Sequence, residues 1–364
     1  MVRQKKSNGD FVRRSSRETH SVRLNGVHFS FGRGMLSWHS EGVRVEERTQ
    51  AATAIKDVAD RVRENIGKVI VGSTEVIELT LVALLADGHI LIEDVPGIGK
   101  TMLAKAIARS VGCVFKRIQF TPDLMPSDVT GIHYYNQKSG EFEFRPGPII
   151  SNFVLADEIN RATPRTQSAL LEAMEERQVT IDGETMPLPA PFLVIATQNP
   201  IEQEGTFPLP EAQLDRFLMR VSVGYPSESE EDDILLRFEQ ANPLDTLEPV
   251  VEAEELMRLR AMVPHIHCEP SVRRYLIAII QATRNHAALD LGASPRASLA
   301  LYRASRALAA INGRDYVLPD DIKRLAPVVL SHRLILGSQS RLRGRDATGV
   351  LEEVLAEVPA PVEG

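Results

Sequence analysis

Five short apolar segments, separated by stretches with helical periodicity, constrain the fold of this chain more than any other feature of its sequence. They span residues 90–92, 115–120, 153–156, 192–196 and 218–223. Most are apolar at nearly every position, as in strands that are covered on both faces. Residues 101–110 and 166–177, which lie between them, are typical of helices. The pattern predicts an α/β fold with a mostly parallel sheet.

Helical patterns also flank this alternation. Residues 46–65 predict a helix with one apolar face, and a second helix is expected to start after Ser73 as its N-cap and to end at Gly88. Beyond residue 226 the pattern is helical near 228–240, 252–262, 270–286, 295–311 and 319–331, and Ser227 is a candidate cap. We therefore expect an α/β domain over 46–225, a small all-α domain over 226–335 and a C-terminal tail over 336–364.

Composition limits the remaining possibilities. The 364 residues carry a net charge of −7, which disfavours a protein that merely coats nucleic acid. The two cysteines, Cys113 and Cys268, belong to no motif and favour a reducing, cytoplasmic setting. No apolar run is long enough to span a membrane, although association through a partner is compatible with the sequence. Residues 1–45 are basic and are interpreted as a disordered tail, or as the product of a mis-assigned start with initiation near Met35.

The loop at residues 93–101 is the strongest local signal for chemistry. It follows a predicted strand and opens a predicted helix, which is the setting of a phosphate-binding loop. Gly97 and Gly99 allow backbone N–H groups to face phosphate oxygens, Lys100 would reach the β- and γ-phosphates, and the Thr101 hydroxyl would bind Mg²⁺. Asp94 stands where the consensus has glycine, and the alternative is an ordinary strand–helix turn.

Polar residues follow two further strands. Asp157 and Glu158 end one strand and Asn199 follows the next, so a parallel sheet would place all three beside the phosphate loop. Asp157 would hold Mg²⁺ through water, Glu158 would polarise the attacking water, and Asn199 would contact that water or the γ-phosphate. Arg216 and Arg296 are candidates for stabilising charge on the γ-phosphate, with surface or ion-pairing roles equally open.

These motifs, together with the wording of residues 156–183, 196–217 and 292–309, resemble the MoxR family of AAA+ ATPases over about residues 50–335. The resemblance implies an AAA+ P-loop core followed by a helical lid, with ATP and Mg²⁺ as cofactors. It implies that Asp157 and Glu158 form the Walker B motif, that Asn199 is sensor 1, and that Val71 and Gly72 lie near adenine. The implied Walker A and neighbouring nucleotide-binding residues are Pro96, Gly97, Ile98, Gly99, Lys100, Thr101 and Met102.

The resemblance also implies how the chain assembles and acts. Arg216 would be a finger for the neighbouring subunit's nucleotide, whereas Arg296 would be sensor 2 on the subunit's own nucleotide. A finger that acts on a neighbour needs a closed ring, and a hexamer is the family expectation. The implied function is remodelling or maturation of a partner protein complex, with a von Willebrand factor A domain protein as partner.

Two hairpins are predicted at residues 133–145 and 179–188. The second carries Asp182 and Glu184 and no basic residue, so it would repel a phosphate backbone and nucleic acid is not expected as a partner. The alternatives left open are a magnesium-chelatase-like motor subunit and an AAA+ ATPase that acts on nucleic acid.

Overall fold

The computed structural model describes residues 20–24, 27–31, 45–200, 205–239 and 242–361. Strands β1 (His20–Leu24) and β2 (Val27–Phe31) pair antiparallel within a first unit that ends at Val43. The rest of the predicted basic tail lies outside the described residues. Residues 44–364 form the second unit, which carries the predicted site.

The α/β part of the second unit agrees with the predicted alternation of strands and helices. Its strands are β3 Ile90–Glu93, β4 Phe115–Gln119, β5 Gly131–Asn136, β6 Glu141–Pro146, β7 Phe153–Asp157, β8 Gln178–Ile181, β9 Glu184–Pro187, β10 Leu193–Gln198 and β11 Met219–Val221. Its helices are α1 Val45–Gly67, α2 Thr74–Leu85, α3 Lys100–Ser110, α4 Pro126–Thr130, α5 Pro164–Glu176 and α6 Glu211–Leu214.

The central sheet is parallel throughout, in the order β11-β3-β10-β7-β4. Alternate residues of one strand enter different cores: Ile90 and Ile92 pack on the side of α1, α2 and α3, whereas Leu91 packs on the side of α5. Both faces of the inner strands β3, β7 and β10 are therefore covered, which explains why these three strands are apolar at nearly every position. The carboxyl ends of β3, β7 and β10 consequently meet at one edge of the sheet.

The helical region follows after residue 226. Its elements are α7 Glu228–Phe238, α8 Ala253–Met262, α9 Pro270–Asn285, β12 Leu289–Leu291, α10 Pro295–Ile311, α11 Pro319–Leu330, β13 Ile335–Leu336, α12 Ser338–Leu342 and α13 Ala347–Glu357. Ser227 accepts a hydrogen bond from the Glu230 N–H, as its predicted capping role requires. The region is not purely helical, because β12 and β13 pair antiparallel.

Two further details differ from the expectations. Ser73 occupies the N-cap position of α2 as predicted, but its φ is 52° and its side chain makes no cap hydrogen bond. Residues 336–364 were expected to form a tail, but α13 buries Val350, Leu351 and Val354, and the last two pack in the core shared with the helical region. These side chains share one helix face, so burying them stabilises the segment as part of the fold. Within the described residues, no helix is both long and apolar enough to cross a membrane.

Candidate active site

The predicted phosphate loop joins β3 to α3 at the carboxyl edge of the sheet. Gly97 and Gly99 have φ of 91° and 86°, and a Cβ at either position would meet no neighbouring atom. Glycine is therefore present for its left-handed backbone and not to avoid a close contact. The loop faces a cleft of about 390 Å³, which is lined by Pro96, Gly97, Gly99, Lys100, Thr101, Met102, Lys105, Arg117, Asp157, Glu158, Thr197, Gln198 and Asn199.

Lys100 is held inside this loop. Its Nζ donates a hydrogen bond to the backbone carbonyl oxygen of Asp94, at 2.7 Å. Burial lowers the pKa of Lys100, against the opposing effect of the carboxylates of Asp94, Asp157 and Glu158. The ammonium group thus lies among three acids at the place where a polyphosphate would bring further negative charge.

Asp94 ties the start of the loop to the end of β11. Its Oδ2 accepts hydrogen bonds from the Val223 N–H at 2.7 Å, the Gly224 N–H at 2.8 Å and the Ser222 hydroxyl at 2.9 Å. Its Oδ1 accepts one from the Val95 N–H. Burial opposes ionisation of Asp94, but these hydrogen bonds outweigh it and lower its pKa.

Asp157 lies between a cation and a hydroxyl. Its Oδ2 accepts hydrogen bonds from Arg117 Nη2 at 2.6 Å and Nε at 3.1 Å, and its Oδ1 accepts one from the Thr197 hydroxyl at 2.6 Å. Asp157 and the Thr101 hydroxyl line the same cleft, and hard oxygen donors of this kind suit Mg²⁺. The residues present therefore fit the predicted metal, with Arg117 supplying the positive charge beside Asp157 in this structure.

Glu158 is held in an unusual backbone conformation. Its φ is 56°, its N–H donates to the Thr197 hydroxyl at 2.9 Å, and its Oε2 accepts a hydrogen bond from Gln119 at 2.8 Å. Arg161 Nε lies 3.1 Å from the same oxygen. Left-handed backbone at a non-glycine residue costs free energy and is frequent at functional sites. The side chain is thereby directed into the cleft.

The structure brings together most, but not all, of the predicted site residues. Pro96, Gly97, Gly99, Lys100, Thr101, Met102, Asp157, Glu158 and Asn199 line the cleft. Val71, Gly72 and Ile98 are not among its lining residues, and a Cβ on Gly72 would meet Glu230 of α7.

Arg216 and Arg296 also lie outside the lining of the cleft. Arg216 Nε is 2.9 Å from Glu175 Oε2, and Arg296 Nη2 donates to Glu175 Oε1. The two arginines that were expected to act on different nucleotides thus share one carboxylate near the end of α5. Any role assigned to either arginine must therefore be consistent with this shared contact to Glu175.

Sequence reasoning missed four lining residues: Lys105, Arg117, Thr197 and Gln198. Arg117 and Gln119 occupy alternate positions of β4, opposite Leu155 and Asp157 of β7 in the parallel register. The sequence feature that could have identified Arg117 is a pair of polar residues on one side of an edge strand. It was not interpretable without the strand order, which places β4 next to β7.

Comparison with known proteins identifies the family. The model for the ATPase family associated with various cellular activities (AAA) matches residues 89–219, and an AAA lid-domain model matches residues 281–354. YeaC of Bacillus subtilis, named as an uncharacterised protein, is 54% identical over 300 residues, which are 82% of this chain and 94% of YeaC. Chaperone MoxR1 of Mycobacterium tuberculosis is 45% identical over 305 residues, 81% of this chain and 80% of MoxR1. This chain belongs to the MoxR family of AAA+ ATPases.

A solved structure supports the same assignment. The crystal structure of a candidate ATPase from Cytophaga hutchinsonii matches with a TM-score of 0.80 at 41% identity, over 87% of this chain and 98% of that one. The predicted fold class, an AAA+ core with a parallel sheet followed by a helical lid, is therefore confirmed. The MoxR family consists of ATPases, and AAA+ proteins typically work as oligomeric rings.

Proposed function

We propose that this MoxR-family protein hydrolyses ATP with Mg²⁺ and uses the energy to remodel a partner protein. One observation carries the catalytic part: Lys100, Thr101, Asp157, Glu158 and Asn199 line a single cleft although they come from three separate strand ends. Phosphoryl transfer depends chiefly on positioning and on electrostatic stabilisation. The cleft supplies an ammonium group, two carboxylates and an amide around the space for one polyphosphate.

Each residue has a specific role in this proposal. Lys100 exchanges its bond to the Asp94 carbonyl for the β- and γ-phosphates. Glu158 accepts a hydrogen bond from the attacking water and orients it, while Asn199 binds that water or the γ-phosphate. Thr101 and Asp157 would hold Mg²⁺, Asp157 through water, and the ion neutralises charge on the phosphates when it is bound.

The arginines favour action across a subunit boundary. Arg216 and Arg296 are together on Glu175 and away from the cleft lining, so we propose that both serve a neighbouring subunit's nucleotide. This differs from the expectation that Arg296 acts on its own subunit. A head-to-tail interface that places one subunit's arginines in the next subunit's cleft closes into a ring, for which we propose six subunits.

The two hairpins favour a protein as the partner. Tyr135 and Phe142 at the outer part of β5 and β6 are 54% and 73% exposed, with ring centroids 5.4 Å apart. Asp182 and Glu184 are exposed on the neighbouring hairpin, so this surface suits apolar and basic side chains and not a phosphate backbone. We propose a von Willebrand factor A domain protein as partner, as the family resemblance implies, and a cytoplasmic location.

The experiment that tests the catalytic assignment is steady-state ATP hydrolysis measured with binding of a fluorescent ATP analogue. We expect Lys100→Ala to lose both hydrolysis and tight binding, because it removes the ammonium group that faces the phosphates. Glu158→Gln should bind the analogue but lower kcat at least about 100-fold, since it removes the group that orients water. Omitting Mg²⁺ should abolish hydrolysis by the unaltered protein.

Lys116→Ala is the matched control, because this exposed lysine is adjacent to Arg117 in sequence but does not line the cleft. Its kcat and analogue affinity should equal those of the unaltered protein. Undiminished hydrolysis in both Lys100→Ala and Glu158→Gln would reject the assignment of the site.

A further inference from the structure

Glu175 links two arginines that the chain supplies from distant positions. It lies in α5, the helix that follows the Walker B segment, whereas Arg216 precedes β11 and Arg296 opens α10 in the lid. One carboxylate oxygen lies 2.9 Å from Arg216 Nε, and the other accepts a hydrogen bond from Arg296 Nη2. A single side chain of the core therefore holds the finger and the lid arginine at one place.

The pairing solves an electrostatic problem. Two positively charged guanidinium groups near each other repel. The carboxylate between them offsets this repulsion and fixes their separation. Without Glu175 the two arginines would be expected to move apart and to sample other rotamers.

The pairing leaves most guanidinium donors available. Among the described residues, no hydrogen bond involves Nη1 or Nη2 of Arg216, or Nε or Nη1 of Arg296. The side chains of Arg216 and Arg296 are 29% and 46% exposed, so these donors are accessible at the surface of the chain. Arginine binds phosphate through two donors of one planar group, and Arg216 keeps its two terminal nitrogens for this purpose.

We infer that Glu175 is a positioning residue that presents Arg216 and Arg296 as a pair to the γ-phosphate in the neighbouring subunit. This inference rests on the proposed function, in which both arginines act across the subunit boundary. Glu175 itself touches no nucleotide in this arrangement. It acts by holding the guanidinium groups where the negative charge of the transition state develops.

The first test separates positioning from a purely structural role. Partly exposed ion pairs contribute little to folding, so Glu175→Gln should keep the melting temperature and the ATP-analogue affinity of the unaltered protein. We expect its kcat to fall about 10- to 100-fold with KM for ATP unchanged, because misplaced catalytic groups lose this much rate. Glu176→Gln is the matched control, since it removes the neighbouring exposed carboxylate of the same helix and should leave kcat unchanged.

The second test uses mixed oligomers. A Glu158→Gln subunit has an inactive cleft but correctly positioned Arg216 and Arg296. A Glu175→Gln subunit has an intact cleft but displaced arginines. Mixing the two weakly active proteins should therefore restore hydrolysis, at sites where a Glu175→Gln cleft receives arginines from a Glu158→Gln neighbour. A mixture of Arg216→Ala with Glu158→Gln serves as the reference, because it tests action across the boundary without involving Glu175.

The outcomes distinguish the two levels of the proposal. Recovery in both mixtures, with the kcat effect confined to Glu175→Gln, supports the positioning role. Recovery in the reference mixture alone, or a Glu175→Gln protein with unchanged kcat, overturns the role of Glu175 and leaves the proposed function standing. Absence of recovery in the reference mixture contradicts action across the boundary, and the inference on Glu175 then fails with it.

Discussion

Asp94 stands where the consensus of the predicted phosphate loop has glycine. The loop keeps glycine where the backbone is left-handed, at Gly97 and Gly99, and gives up glycine at its first position. There the Asp94 carboxylate accepts four hydrogen bonds, three of them from residues that follow β11. Aspartate at this position has less backbone freedom than glycine, but its side chain connects the loop to the residues that follow β11.

We expect Asp94→Ala to lower the free energy of unfolding by about 2–4 kcal/mol, because it leaves the N–H groups of Val223 and Gly224 without their acceptor. The pKa of Asp94 is lower in the folded chain than its ordinary value of 3.8. Ionisation therefore favours the folded state above pH 3.8, and this contribution is lost as the pH falls towards the folded pKa. Urea unfolding at several pH values measures both effects.

Asp57→Ala is the comparison, since it removes an exposed carboxylate of α1. It should change the free energy of unfolding by less than about 0.5 kcal/mol at neutral pH. An Asp94→Ala protein that is as stable as this control at neutral pH would show that Asp94 is not an anchor.

At the scale of elements, the two hairpins form a joint feature and not two independent insertions. His133 Nδ1 of β5 and Asp182 Oδ2, in the turn between β8 and β9, are 2.9 Å apart. On the same face of β5 and β6, the ring pair His133 and Phe144 is followed outward by Tyr135 and Phe142. An aromatic strip therefore runs from partly buried to exposed positions, with acidic residues on the adjoining hairpin.

We expect the double variant Tyr135→Ser and Phe142→Ser to lose partner binding while basal ATP hydrolysis stays within about two-fold of normal. The reason is that it removes exposed apolar area without touching the cleft. The measurement is ATP-dependent recovery of a von Willebrand factor A domain protein by two tagged proteins. One carries Glu158→Gln alone, and the other carries Glu158→Gln together with Tyr135→Ser and Phe142→Ser.

Lys138→Ala, at the turn of the same hairpin, is the control and should keep partner binding. A nucleic-acid partner would instead be favoured by a different result: the protein without hairpin substitutions recovers nuclease-sensitive complexes, and Lys138→Ala loses them while the double variant keeps them.

At the scale of the whole second unit, the lid is fastened to the segment that carries Arg216. Arg333, just after α11, donates from Nη2 to the Phe217 carbonyl at 2.7 Å, and its Nε lies 2.8 Å from Asp215 Oδ1 in an ion pair without hydrogen-bond geometry. His332 Nε2 is 3.1 Å from the same carbonyl. Burial lowers the pKa of Arg333 to about 10, despite the nearby Asp215 carboxylate. We therefore expect a displacement of the lid to disturb Arg216, the proposed arginine finger, through the neighbouring Asp215 and Phe217.

Arg333→Met should lower the free energy of unfolding by about 3 kcal/mol, because it leaves Asp215 and the Phe217 carbonyl without their buried cation. It should also lower kcat through loss of order around Arg216. Chemical unfolding and steady-state hydrolysis are the two measurements, with exposed Arg343→Met as the matched substitution. If the stability and kcat of Arg333→Met equalled those of Arg343→Met, the coupling of the lid to the finger would be disproved.

Elements whose signals are local could be predicted before the structure was known. The five strands of the central sheet, the phosphate loop at Gly97–Lys100 and the acids at the end of β7 were predictable, because apolar runs and short motifs depend on near neighbours in the chain. The MoxR resemblance added functional names to these positions. Ser73 was also placed correctly at the N-cap of α2, but its backbone is left-handed there and its side chain makes no cap hydrogen bond.

Contacts between side chains far apart in the sequence became apparent only from the three-dimensional packing. Arg117 pairs with Asp157 across 40 positions of sequence, and Arg296 reaches Glu175 across 121. Such contacts depend on strand order and on how the lid packs. The sequence around each of these residues contains no motif that marks it as a contact of the other. For the same reason the segment from residue 336 onwards was expected to be a tail. The core that buries Leu351 is formed by residues distant in the sequence, so the segment itself did not indicate it.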